Sequence, residues 1–202
     1  HEVMRGILNQ ARRHPQRIVF PEGPHERIIR AAGRIVEEKI AVPVLLGNVE
    51  QITDKARTMS ISLEGVELLD PVEQMDTRER YAQELYRLRQ RKGVTLAEAR
   101  DYVTQPLYYG CMMVHCSDVD GLVAGEEMHY PDTLRPALQT VGTADGVTHV
   151  AGLYMLVLEK GLIFFADTTV NIDPDAKTLA EIAVLSAGFV RWLGVEPRVA
   201  ML

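Results

Sequence analysis

The sequence predicts an α/β protein: a parallel or mixed sheet flanked by helices on both faces (three layers, α/β/α), followed by the start of a second α/β subdomain. Three observations predict it. Short apolar runs, "RIVF", "VPVLLG" and "VELLDP", alternate with segments whose apolar residues recur at helical spacing. The runs lack strict polar/apolar alternation, as expected of strands covered on both faces. Beyond Gly142 the pattern changes to two neighbouring apolar runs and one long helix, so residues 1–142 and 143–202 read as separate subdomains.

Each element follows from local pattern. "EVMRGILNQARRHP" puts Val3, Ile7, Leu8 and Ala11 on one helical face, and Pro15 stops it. "RIVF" is a strand ending at Pro21. In "HERIIRAAGRIVEEK" the face is Ile28, Ile29, Ala32, Ile35 and Val36, and "VPVLLG" is the next strand. "VEQITDKARTM" reads as a helix before a third strand, "VELLDP". A polar helix from about Asp76 to Lys92 is closed by Gly93. A more apolar one follows over "VTLAEARDYVTQPLYYGCMMVHCSDV", with Thr95 as its cap and Pro106 as a kink or interruption. "DGLVAG" reads as a buried strand and "YPDTLRPALQTVG" as a short helix with Arg135 on its first turn. "VAGLYMLVLEKG" and "GLIFFADTTV" suit a hairpin turning at Glu159-Lys160-Gly161. "TLAEIAVLSAGFVRWLG" is a helix turning Leu179, Ile182, Leu185, Ser186 and Phe189 inward and leaving Trp192 for a partner or for a missing half of the protein. "RVAML" reads as a last strand. The opening at His1 and the stop just after that strand suggest a piece of a longer polypeptide.

Composition narrows the function. With 202 residues, 47% hydrophobic and net charge −6, the chain can bury a core, and neither general nucleic-acid binding nor an anionic membrane surface is expected. Any anionic ligand must be met by local basic residues. No apolar run reaches membrane length, no secretory signal is visible, and there are two cysteines, so a cytoplasmic protein with reduced thiols is expected. Cys111 and Cys116, five apart in a helix, point in different directions, and with His115 they make an incomplete ligand set; no metal site is expected.

The familiar cofactor and nucleophile signatures are missing. There is no G-x-G-x-x-G after a strand, no G-x-x-x-x-G-K-[ST], no G-x-S-x-G and no H-E-x-x-H. The informative segments lie at strand ends, where doubly wound sheets bind ligands. "AGEEMHYPDTLRP" follows the "DGLVA" run. Asp132 and Thr133 are placed to cap the helix of Arg135, so that amides and a guanidinium converge on one anion; equally, Asp132 or Glu127 can pair with Arg135. Arg87-Leu-Arg89-Gln-Arg91-Lys92 is a basic helix end, which on its own reads as a solvated face complementing the helix dipole. Asp167-Thr168-Thr169, after another strand, suits either a ligand or a turn-forming cap.

Taken in order, "RIVFPEGPHERIIRAA", "KGVTLAEARDYV", "DVDGLVAGEEMHYPDTLRPALQ", "LIFFADTTVNIDPDAKTLAEIA" and "EPRVAML" resemble the phosphate acetyl/butyryltransferase family over almost the whole chain. "FFADTTVNIDP" and "HYPDTLRPALQ" look most like the phosphotransacetylase-like C-terminal domain of large bacterial NADP-dependent malic enzymes. The resemblance implies a phosphotransacetylase-like fold and a site at which coenzyme A thiolate attacks an acyl phosphate. It raises Arg135 and Arg89 as phosphate- or CoA-binding residues, with Thr133, Asp132, His129 and Tyr130 beside them. Where transferases of this family carry small serines, this chain has His129, Tyr130 and Pro131, bulky groups of which the last has no N–H. The family's serine and aspartate acid–base segment has no counterpart in these residues.

These departures lead to a specific expectation. The chain is a non-catalytic, acetyl-CoA-binding regulatory and oligomerisation module, and an absent N-terminal part decarboxylates malate with NADP and a divalent metal. Its partners are then acyl-CoA or acyl phosphate and further copies of itself, as a dimer or higher homo-oligomer. The alternative is a fragment of a working phosphate acyltransferase, converting CoA and acyl phosphate to acyl-CoA and phosphate.

Overall fold

A computed structural model describes residues 2–159 and 161–202. It divides into two compact units, Ala11–Gly142, and Thr143–Leu202 together with the first ten residues. Helix α1, Glu2–Arg13, crosses that division.

The larger unit is built on four parallel strands, β1 (Gln16–Phe20), β2 (Ala41–Leu46), β3 (Glu67–Leu69) and β4 (Gly121–Leu122), in the order β3-β2-β1-β4. Because successive strand residues face opposite sides, β1 and β2 feed two cores. Val19, Val44 and Leu46 pack against Tyr81 and Leu85 of α4 (Met75–Arg89), Val103 just beyond α5 (Leu96–Tyr102), and Tyr109 and Met112 of α6 (Pro106–His115). Phe20 and Leu45 pack against Ile28, Ile29 and Ala32 of α2 (Glu26–Glu37) and Ile52 and Ala56 of α3 (Val49–Thr58). Each fully buried large side chain contributes about 1.5–3 kcal/mol of transfer free energy, which is why the sheet sits between helices. This is the three-layer α/β/α arrangement.

Local signals account for the helix boundaries. Thr95 accepts from the Glu98 amide while Glu98 reaches back to the Thr95 amide, a complete capping box. Pro106 interrupts rather than kinks: it is the first residue of α6, preceded by extended Gln105. Helix α6 is apolar all round, and every residue from Leu107 to Met113 is buried. The polar helix α4 runs into a 3-10 turn, Gln90–Lys92, and stops at left-handed Gly93.

Two expectations for this unit are corrected. "DGLVAG" yields only the two residues of β4, half-buried, with Val123 52% exposed. β4 is the outer strand, bonded to β1 alone among the described residues, so one edge lacks the cover a central strand has. And α7 spans Tyr130–Thr140, which puts Arg135 in its second turn and Pro136 inside the helix.

The smaller unit holds an antiparallel pair, β5 (Leu153–Leu158) and β6 (Gly161–Ala166), with α8 (Ala176–Trp192) against β6. Lys160, in the middle of the expected hairpin turn, lies outside the described residues. Asp175 caps α8 through the Thr178 amide. The inward face of α8 is Thr178, Ile182 and Val190; Phe189 is 44% exposed and lies beside Trp192, ring centroids 5.8 Å apart. "RVAML" is not a strand. Its extended pattern finds no partner ladder among the described residues, and Val199, Met201 and Leu202 are exposed. No helix among the described residues is long and apolar enough to cross a membrane.

Candidate functional site

The site is assembled at the carboxyl ends of β1 and β4. After β4 the chain runs through a loop to His129, which precedes α7 without making a side-chain cap. Asp132 and Thr133 therefore lie inside the helix and cap nothing. Pro131 has no N–H, and the amides of Asp132 and Thr133 both donate to the His129 carbonyl, at 3.0 and 3.2 Å. The expected convergence of helix-end amides on an anion is thus not formed. His129, Tyr130 and Pro131 are exposed and do not line the adjoining pocket, so their bulk leaves it open.

That pocket, of about 480 Å³, lies between α5, α6 and α7. Its walls bring Asp132, Arg135 and Gln139 of α7 together with Tyr108 and Gln105 and with Met128 of the loop. Arg135 is exposed and pairs with neither Asp132 nor Glu127, and among the described residues no acidic group takes up its charge. Tyr108 is 6% exposed, stacked on Tyr102 with centroids 4.8 Å apart, and its hydroxyl donates to Gln139 Oε1 at 2.6 Å.

Arg89, at the end of α4, turns inward while Arg87 pairs with Glu84. The Arg89 Nε is buried and has no hydrogen-bond partner, an unmet donor of the kind a ligand satisfies. Burial pushes the Tyr108 hydroxyl up from its ordinary range, and the positive charges of Arg135 and Arg89 both pull it down. Two guanidinium groups 46 positions apart in sequence thus act on one phenol. A guanidinium's forked N–H donors suit a phosphoryl oxygen, and Arg135 is the one that lines the pocket. Tyr108 and Gln139 have no motif that marks them in the sequence; only the α6–α7 contact reveals them.

A second carboxylate organises the approach to α7. Glu22, at the turn after β1, is 7% exposed and accepts hydrogen bonds from the amides of Gly125, Glu126 and Glu127 at 2.8–3.1 Å. "FPEGP" marks a strand-end loop but not this use of its glutamate.

The Asp167-Thr168-Thr169 loop belongs to the smaller unit. The Asp167 carboxylate is filled by the amides of Gly152, Thr169, Val170 and Asn171 and by the Asn171 side chain. Burial raises its pKa, but those donors outweigh burial and hold it at about 2. It serves as a cap for its own loop, while the Thr168 hydroxyl is buried without a partner. Cys111 and Cys116 are free thiols, and burial pushes Cys111 up to about 11. Among the described residues no three His, Cys, Asp or Glu side chains are grouped to hold a metal ion.

The family model for phosphate acetyl/butaryl transferase matches residues 2–202. The chain belongs to that family. It is 44% identical over 194 residues to a phosphate acetyltransferase of Synechocystis, covering 95% of this chain and 27% of that protein. It is 40% identical over 207 residues to the phosphate acetyltransferase of Thermoanaerobacterium thermosaccharolyticum, covering 99% and 62%. Among solved structures, a phosphotransacetylase from Streptococcus pyogenes superposes with a TM-score of 0.90 at 30% identity, covering 100% of this chain and 61% of that one. The EutD phosphotransacetylase from Staphylococcus aureus gives 0.86 at 29%, covering 96% and 59%. The chain therefore spans less than two thirds of the length of these relatives.

These relatives overturn the expected non-catalytic malic-enzyme module. Near-full-chain similarity at 40–44% runs to phosphate acetyltransferases, and with the malic reading go its NADP, its divalent metal and its regulatory role. His129, Tyr130 and Pro131, whose bulk suggested lost catalysis, are not among the residues that line the pocket.

Proposed function

We propose that this chain is part of a phosphate acyltransferase that interconverts acyl phosphate plus coenzyme A with acyl-CoA plus phosphate. Its larger unit supplies the phosphoryl-binding side of the site. The observation that carries this is Arg135 on the wall of the Tyr108 pocket without an acidic partner among the described residues, together with the buried Arg89 Nε that has no hydrogen-bond partner.

In this reaction a thiolate adds to the acyl carbon, the acyl–phosphate C–O bond breaks, and phosphate leaves with the bond's electron pair. Negative charge grows on the departing oxygen, so a fixed guanidinium pair stabilises the transition state more than the substrate. Arg135 and Arg89 take that role, and Gln105 and Gln139 offer amide groups for orientation. The apolar walls of Leu107, Met128 and Pro136 suit an acyl or thiol-bearing arm. Thr133, Asp132, His129 and Tyr130 border the site from α7 and its approach. Asp167, Thr168 and Thr169 organise their own loop in a second α/β subdomain that we place at residues 143–202, after a first at 1–142. Self-association through the exposed Phe189–Trp192 pair belongs to the same proposal.

Titration with inorganic phosphate tests the clamp. Replacing Arg135 by Ala removes a charge-assisted contact, and affinity is expected to fall about ten- to a hundredfold. Equal affinity in both proteins overturns the assignment.

A further inference from the structure

Burying a carboxylate without a cation costs several kcal/mol unless hydrogen bonds replace its water. Glu22 is such a group. No Lys, Arg or His nitrogen pairs with it among the described residues, yet both oxygens are filled: Oε2 accepts from Gly125 at 3.0 Å and Glu126 at 3.1 Å, and Oε1 from Glu127 at 2.8 Å. Three successive amides converge because Gly125 adopts a left-handed φ of 105°, which turns the backbone into an anion-binding nest. The protein fills that nest with its own carboxylate.

The carboxylate is itself held rigidly. Gly23 donates its amide to the Leu46 carbonyl at 3.1 Å, and a Cβ there would stand 2.5 Å from that oxygen, so the turn after β1 is clamped against the end of β2. From this anchor Glu22 reaches across to the loop after β4. Three residues beyond the last bonded amide lies Tyr130, the start of α7; Met128 before it and Asp132, Arg135 and Gln139 after it are walls of the pocket. Around the same loop, Arg27 pairs with Glu126 at 2.7 Å.

We propose that Glu22 is a positioning residue for the anion site: its carboxylate fixes the Gly125–Glu127 loop and occupies the nest, so that a phosphoryl group is directed to Arg135 and Arg89 rather than to the loop amides. This rests on the arginine site proposed above. Two consequences distinguish it from general stabilisation. The loop amides must be specifically protected by the carboxylate, and phosphate affinity must depend on a residue that never touches phosphate.

Four proteins decide it: wild type, Glu22→Gln, Glu22→Asp and, as the reference for the site itself, Arg135→Ala. The Gln variant turns an NH₂ group toward amide donors; the Asp variant keeps the charge one methylene short. Inorganic phosphate is titrated by calorimetry, and amide exchange is followed at residues 125–127 by NMR. In Glu22→Gln, faster exchange confined to Gly125–Glu127 and roughly tenfold weaker phosphate binding are expected, with Glu22→Asp intermediate. If Arg135→Ala abolishes binding but Glu22→Gln binds like wild type, the positioning role fails and the arginine site stands. If wild type binds no phosphate, the site and this inference both fail. Loss of cooperative melting in both Glu22 variants would make Glu22 a folding residue and also overturn its positioning role.

Discussion

Asp167 is held near pKa 2 by five donor groups that outweigh its burial. An unfolded aspartate titrates near 3.9, so the native state favours the ionised form. The sign follows: this contribution is present above about pH 4 and is lost as pH falls from there toward 2. Asp167→Asn keeps the shape but replaces an acceptor with an NH₂ group, and the Gly152 and Asn171 amides lose a charged partner. Melting temperatures measured across pH should be lower for the variant at neutral pH, with the difference shrinking through the acid range. Parallel profiles would show that the carboxylate's charge plays no part. Arg135 and Glu22 make a contrasting pair at this scale, one charge without an acidic partner among the described residues and the other consumed by the backbone.

Helix α5 has only seven residues, too short to hold itself by propagation alone. It depends on its capping box and on packing against α4, the helix that ends at Arg89. Thr95→Ala removes both the side-chain acceptor at the helix start and the hydroxyl contact to Glu98. The expected result is a melting temperature lower by about 2–4 °C, with phosphate binding weakened in step if α5 supports the pocket wall at Tyr102. An unchanged melting curve would mean that tertiary packing alone holds α5. Helix α7 poses the opposite case: Pro136 sits in its interior, and the Thr140 hydroxyl donates to the Pro136 carbonyl at 2.8 Å.

At the scale of the whole molecule, the smaller unit leaves several large apolar side chains exposed. Trp192 is 71% exposed, Phe189 44%, and on β5 and β6 Tyr154, Leu156, Ile163 and Phe165 are exposed as well. Tyr154 pairs with Phe165 and Leu156 with Ile163, so these four share one face of the hairpin, and exposed apolar groups gathered on one face suit an interaction surface. Self-association is expected: light scattering should give a mass above the 22.6 kDa of one chain, and Trp192→Ser should shift the population toward monomer. A monodisperse monomer at high concentration, with unaltered Trp192 fluorescence, would contradict it.

The sequence by itself determined the order of strands and helices in the larger unit, because period, cap and breaker are local: Thr95, Pro106 and Gly93 act on their immediate neighbours. Its motifs also carried the family resemblance. Arg135 and Arg89 were legible as candidates on those motifs, but not the pocket that Arg135 lines beside Tyr108, since that pocket depends on how α6 and α7 pack. The use of Glu22 was equally hidden, with 103 to 105 positions separating it from the amides it binds. "RVAML" failed as a strand for the same reason, since alternation describes a chain ready to pair and only a neighbouring strand completes it. The bulky triplet at 129–131 lies outside the pocket's lining, and the sequence shows the volume of such side chains but not their direction. Local geometry is written in short-range spacing; contact between distant residues is decided by burial of whole faces, and the pocket beside Arg135 exists only once those faces are packed.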